Sequence, residues 1–111
     1  MIIGLWISYD LGVECDYQGL YGWLDSKKAL ECGDSMAFMK MKLNSYESLI
    51  DDIKRELKES VSLKKGDRIY LICFDNKKII RGRFILGKRK RSPWEGFSSE
   101  GETLEAQDLL E

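Results

Sequence analysis

The chain has 111 residues, 43% of them apolar and 33% charged, and a formal net charge of −1. That length suits one domain with a modest core, and a near-neutral balance supplies no global field toward nucleic acid or membrane. Three cysteines without paired spacing argue against a secreted disulfide framework, and the absence of histidine excludes mechanisms that need an imidazole.

The run Ile2 to Asp10, IIGLWISYD, is almost unbroken apolar sequence ending on a carboxylate, which predicts a strand buried near the middle of a sheet. Alternation sends Ile3, Leu5, Ile7 and Tyr9 to one face, against helices, and Ile2, Gly4, Trp6, Ser8 and Asp10 to the other. The run is shorter than the ~20 residues of a membrane span. It also lacks the charged start and cleavage pattern of a signal peptide, so the expectation is a cytoplasmic protein without a membrane partner.

Gly12 breaks the loop after this strand, and Asp16 is positioned to cap a helix. In that helix Tyr17, Leu20, Tyr21 and Leu24 follow the amphipathic rule, while Gly19 and Gly22 each weaken it by about 1 kcal/mol relative to Ala. Ala29 to Cys32 predicts a short strand, Gly33–Asp34 a turn, and Ser35 to Leu43 a longer strand with Phe38, Lys40 and Lys42 on one face. Ser45 is the expected cap of a second helix, whose stripe is Tyr46, Leu49, Ile50, Ile53, Leu57 and Val61 and in which Asp51 and Arg55 form an i,i+4 pair. Arg68 to Phe74 predicts a second central strand, Asp75 to Lys78 a turn, and Ile79 to Leu86 a basic strand at an edge. Residues 102–110 have the pattern of one or two helical turns, or of disorder.

This order, β-α-β-β-α-β with an extra C-terminal strand, predicts an α+β, ferredoxin-like fold in which two helices cover one face of an antiparallel sheet and leave the other open. Residues 1–87 form the domain, and residues 88–111 a tail that is first basic and then acidic. Lys77 to Arg91 contains eight basic residues and no acidic one, whereas Glu95 to Glu111 contains six acidic residues and no basic one.

Three features carry candidate chemistry. Asp10, at the end of a central strand with Glu14 and Asp16 nearby in sequence, is the candidate ligand for Mg²⁺, which takes oxygen donors and retains several waters. Its bland counterpart is a carboxylate that caps the following turn. Trp6, Phe38, Tyr70 and Phe74 place aromatics on the open face, where they serve as a dimer interface, lie under the tail, or stack unpaired bases. No RNP-type glycine–aromatic motif accompanies them. Arg81, Arg83, Lys88, Arg89, Lys90 and Arg91 are candidate phosphate contacts, against the alternative of a solvated edge or a pairing with the acidic tail. Cys73 reads as structural, and Cys15 as the cysteine placed in a loop.

The strand ending in Tyr9–Asp10–Leu11, the helix after Asp16 and the hairpin at Gly33–Asp34 together resemble the small CRISPR-associated adaptation endonucleases and the small bacterial SinR-like proteins, over roughly residues 2–86. The resemblance implies a ferredoxin-like homodimer with sheets facing each other, and it puts Asp10 at the family's metal-binding position. Lys27 and Lys28 are the nearest match to the basic residues that the first group carries after its first helix. Some members of these groups cleave RNA or DNA with Mg²⁺, and others are non-catalytic scaffolds. The leading expectation is thus a small homodimeric nucleic-acid-associated protein, with Mg²⁺-dependent endonuclease activity at Asp10 as its candidate chemistry. The alternative is a non-enzymatic interaction or scaffold module that uses the aromatic sheet face.

Overall fold

A computed structural model describes residues 1–98. Its elements are β1 (Ile2–Asp10), α1 (Tyr17–Ser26), β2 (Leu30–Glu31), β3 (Met36–Lys42), α2 (Leu49–Ser60), β4 (Arg68–Phe74) and β5 (Ile80–Leu86). The five strands form one antiparallel sheet in the order β2-β3-β1-β4-β5. This is the ferredoxin-like split arrangement, β1 lying between β3 and β4, with β5 added outside β4.

The parity of β1 decides the two faces. Ile3, Leu5 and Ile7 are buried, together with Ala37, Met39 and Met41 of β3 and Ile69, Leu71 and Cys73 of β4. They share one core cluster with Leu20, Trp23 and Leu24 of α1 and with Leu49, Ile53 and Leu57 of α2, so both helices cover the same side of the sheet. Burial of such side chains stabilises by about 1.5–3 kcal/mol each relative to leaving them exposed.

The expected stripe of α1 needs correction. Leu20 and Leu24 face the core as expected, but Trp23 joins them, its indole N–H donating to Glu56 Oε1 at 3.1 Å. Glu56 also pairs with Lys27, which ties the end of α1 to α2. Tyr17 and Tyr21 are instead exposed. They form an aromatic cluster with Tyr9, with centroids 5.4 Å apart between the helix tyrosines and 6.3 Å from each to Tyr9. A polar tip makes tyrosine content at such a border between core and water.

Asp16 caps α1 as expected, accepting from the Gly19 N–H at 2.9 Å, and its second oxygen accepts from the Ser62 N–H at 2.8 Å beyond the end of α2. The second helix starts later than expected. Ser48 holds the cap position, and Ser45 and Tyr46 belong to a preceding turn in which the Leu49 N–H reaches the Tyr46 carbonyl at 3.2 Å. Arg55 pairs with Asp52 at 3.1 Å, three residues away, instead of with Asp51. β2 shrinks to two residues, so Cys32 lies exposed beyond the strand. Cys15 is partly buried and Cys73 fully so, where burial raises its thiol pKa and the nearby Asp75 charge adds to the rise. No helix among the described residues is long and apolar enough to cross a membrane. The acidic segment 100–111, with the helical turns expected at 102–110, lies outside the described residues.

Candidate functional site

The face without helices is read from the strand register. One row runs Leu30, Phe38, Trp6, Ile72 and Gly82 across all five strands, and the next runs Met36, Ser8, Tyr70 and Phe84. Beyond these rows, Asp10 stands opposite Arg68 at one end of the sheet, while Ile2 opposite Lys42 and Phe74 opposite Ile80 occupy the other. Trp6 and Phe38 touch, with centroids 4.9 Å apart, and Tyr70 meets Phe84 edge-on at 4.8 Å. Glycines make room for these rings. A Cβ at Gly4 would come within 2.9 Å of the Phe38 ring, and one at Gly82 within 2.8 Å of the Tyr70 ring.

The face is divided. Ile2, Trp6, Leu30, Phe74 and Ile80 are exposed apolar side chains, from 37% for Trp6 to 70% for Ile2. The opposite end holds an open hollow of about 280 Å³ lined by Ser8, Asp10, Arg68, Tyr70, Phe84 and Arg89. The turn from β5 builds its outer wall. Tyr70 pairs with Phe84 but Ile69 pairs with Leu86, so β5 carries a bulge at Ile85, a device that re-aims neighbouring side chains. Gly87 follows with φ +75, and a Cβ there would lie 2.7 Å from Arg68 Cγ. The chain therefore passes close over Arg68 and brings Arg89 onto Phe84, its guanidinium 5.7 Å from the ring centre; Arg68 lies 5.9 Å from the same centre. Contacts of this kind contribute about 0.5–1 kcal/mol at exposed sites.

Arg68 donates to Asp10 Oδ2 at 2.8 Å. This hydrogen bond holds the Asp10 carboxyl below the ordinary carboxylate value against an opposing push from burial, and the charges of Arg68 and Lys90 add to it. Asp10 is thus an ion pair across β1 and β4, not the cap of a turn. The loop after it is pinned by Asp67, a buried carboxylate that accepts from the N–H groups of Gly12 and Lys64, each at 2.8 Å.

The predicted interface residues Trp6, Phe38, Tyr70 and Phe74 all lie on the open face. The predicted phosphate contacts are not brought together. Arg81 and Arg83 pair in register with Cys73 and Leu71, which places them on the helix side of the sheet, and Arg81 is bound to Asp75 at 3.0 Å. Arg91 pairs with Glu95 at 2.8 Å. Lys88, Arg89 and Lys90 have no carboxylate partner within ion-pair distance among the described residues, and of these Arg89 lines the hollow.

Sequence reasoning put Ser8 on the face of Asp10 and Arg68 beside the aromatics of that face, but missed Arg68 as the partner of Asp10 and Phe84 as a wall of the site. The available signal was geometric: antiparallel pairing of β1 with β4 sets the first residue of one strand against the last of the other.

Asp16 is committed to the α1 cap and to Ser62, and no group of three metal-ligating side chains occurs among the described residues. Asp10, the candidate ligand, is itself paired with the Arg68 cation. Comparison of the chain with family models, with curated proteins and with solved structures finds no match.

Proposed function

We propose that the chain is a nucleic-acid-associated protein that works as a homodimer through the apolar half of its open sheet face, with Lys88, Arg89 and Lys90 taking phosphates beside it. The observation that carries this reading is the division of the face. Five exposed apolar side chains, Ile2, Trp6, Leu30, Phe74 and Ile80, adjoin a hollow in which cations outnumber the carboxylate. An apolar patch of that extent is a common mark of an interaction surface, and unpaired Lys and Arg side chains bind phosphates by releasing counterions.

The endonuclease activity implied by the resemblance rests on Asp10. A Mg²⁺ ion there would take the Asp10 carboxylate and complete its shell with waters, in competition with the Arg68 guanidinium that holds that carboxylate. Such an activity requires both Mg²⁺ and the Asp10 carboxylate. Its test is cleavage of single- and double-stranded RNA and DNA with Mg²⁺ or EDTA, by the unsubstituted chain and by Asp10→Ala; equal cleavage by the variant removes Asp10 from the chemistry.

The main reading is tested by light scattering at micromolar concentration together with filter binding of labelled oligonucleotides across a salt series. A dimeric mass and affinity that falls steeply with salt are expected. A monomer that binds no oligonucleotide at low salt overturns the reading. A dimer without nucleic-acid binding leaves the non-enzymatic scaffold in its place.

A further inference from the structure

We infer that the hollow formed by Ser8, Asp10, Arg68, Tyr70, Phe84 and Arg89 binds the phosphate group of a nucleotide, whether free or at the phosphorylated end of a strand. The inference rests on the nucleic-acid reading and deepens it by naming the group held and the residues that hold it. Its basis is a concentration of donors that have no acceptor among the described residues. The Ser8 and Tyr70 hydroxyls belong to cross-strand partners and line one hollow, and neither has a hydrogen bond to a described residue. Among the described residues the Arg89 guanidinium has the Phe84 ring against it and no hydrogen bond. Arg68 Nε is shut off from solvent without an acceptor among the described residues, although its other nitrogens reach Asp10 at 2.8 Å and the Lys88 carbonyl at 3.5 Å.

The chemistry of these groups selects phosphate. Two guanidinium groups stand against one carboxylate, so the hollow is net cationic, and the charge of Lys90 also acts on Asp10. Planar guanidinium forks match the paired oxygens of a phosphate, and two hydroxyl donors complete a set suited to a tetrahedral group with three acceptor oxygens. A volume of about 280 Å³ exceeds what a carboxylate or a bare phosphate fills, and the Phe84 and Tyr70 rings offer a surface for the attached sugar or base. Asp10 limits affinity: it occupies one side of Arg68 and repels an arriving anion. A metal-holding Asp10 would have the opposite effect on a nucleotide.

Titration calorimetry of the full chain without divalent metal, in chloride buffer of low ionic strength, tests this. The probes are inorganic phosphate, thymidine monophosphate, the dinucleotide pdTdT and its unphosphorylated form dTdT. The expected result is that pdTdT binds about tenfold tighter or more than dTdT, in line with a charge-assisted contact. Arg89→Ala, a change at an exposed side chain, should remove most of that difference with the fold intact by circular dichroism. Asp10→Asn, which keeps an acceptor for Arg68 but removes the charge, should raise pdTdT affinity severalfold. Monophosphate binding as tight as pdTdT identifies a free nucleotide as the source, whereas a clear preference for pdTdT identifies a strand end. Equal binding of pdTdT and dTdT, or weaker pdTdT binding by Asp10→Asn, overturns the inference. If a longer oligonucleotide still binds with a steep salt dependence in that event, the nucleic-acid reading survives without it.

Discussion

A carboxylate buried in a loop is costly unless its oxygens are filled, and Asp67 fills both, one with the Gly12 N–H and one with the Lys64 N–H. It thereby joins the loop after β1 to the approach to β4, the two strands whose ends carry Asp10 and Arg68. Asp67→Ala should leave two backbone donors unmade and cost about 2–4 kcal/mol. It would be read as a lower urea midpoint at unchanged slope, with Asp67→Asn losing less. Asp10 differs because its side chain is 61% exposed, so solvent screening limits the Arg68 pair to at most about 1 kcal/mol. Its folded pKa is depressed, chiefly by the Arg68 hydrogen bond. The pair's contribution is therefore present above the ordinary Asp value and is lost as pH falls through the lower folded value. The stability difference between the unsubstituted chain and Asp10→Asn should accordingly be present at neutral pH and vanish in strong acid; a difference unchanged by acid would deny the pair. The sequence marks Asp10 by its place at the end of an apolar run. It does not mark Arg68, whose role appears only when two strands 58 positions apart come into register.

At the scale of elements, the two glycines of α1 have opposite roles that composition cannot separate. A Cβ at Gly19 would sit 2.7 Å from the Ser60 carbonyl, so α1 approaches the end of α2 through that position; at Gly22 nothing lies within 4 Å. Gly22→Ala should stabilise by about 0.5–1 kcal/mol through helix propensity and unfolded-state entropy. Gly19→Ala should destabilise by about 1–3 kcal/mol despite the same propensity gain, because backbone must move to admit the methyl group. Thermal unfolding of the two variants checks the sign of each, and a stabilising Gly19→Ala would mean that the helices do not meet there. The strands β1 and β4 were legible because both are continuous apolar runs that need no partner to be recognised. The start of α2 was not, since Ser45 and Ser48 are equally good cap residues and only the intervening turn decides between them. The α1 face was half legible: Leu20 and Leu24 lie on it, but Tyr17 and Tyr21 continue the same periodicity on a helix border where a hydroxyl can stay wet.

Across the whole molecule, one sheet face carries two surfaces of opposite character, and they can be separated by substitution. Phe74 and Ile80 are cross-strand partners, exposed by 47% and 65%, four residues along their strands from the Tyr70–Phe84 pair that walls the hollow. Ile80→Glu should leave folding intact, because a side chain that water already reaches gains little from burial within one copy. In a dimer that buries this half, the same change places an unpaired charge inside an apolar contact, which is strongly destabilising. The variant is expected to run as a monomer in light scattering at concentrations where the unsubstituted chain is a dimer, while retaining the phosphorylated-dinucleotide preference of the hollow. Arg89→Ala is expected to do the reverse, keeping the dimer and losing the preference. Loss of both properties in either variant would show that the hollow is completed by the second copy and that the face works as one surface. A dimer that persists in Ile80→Glu would move the interface off this half of the sheet, and would leave Ile2, Trp6, Leu30 and Phe74 to a different partner.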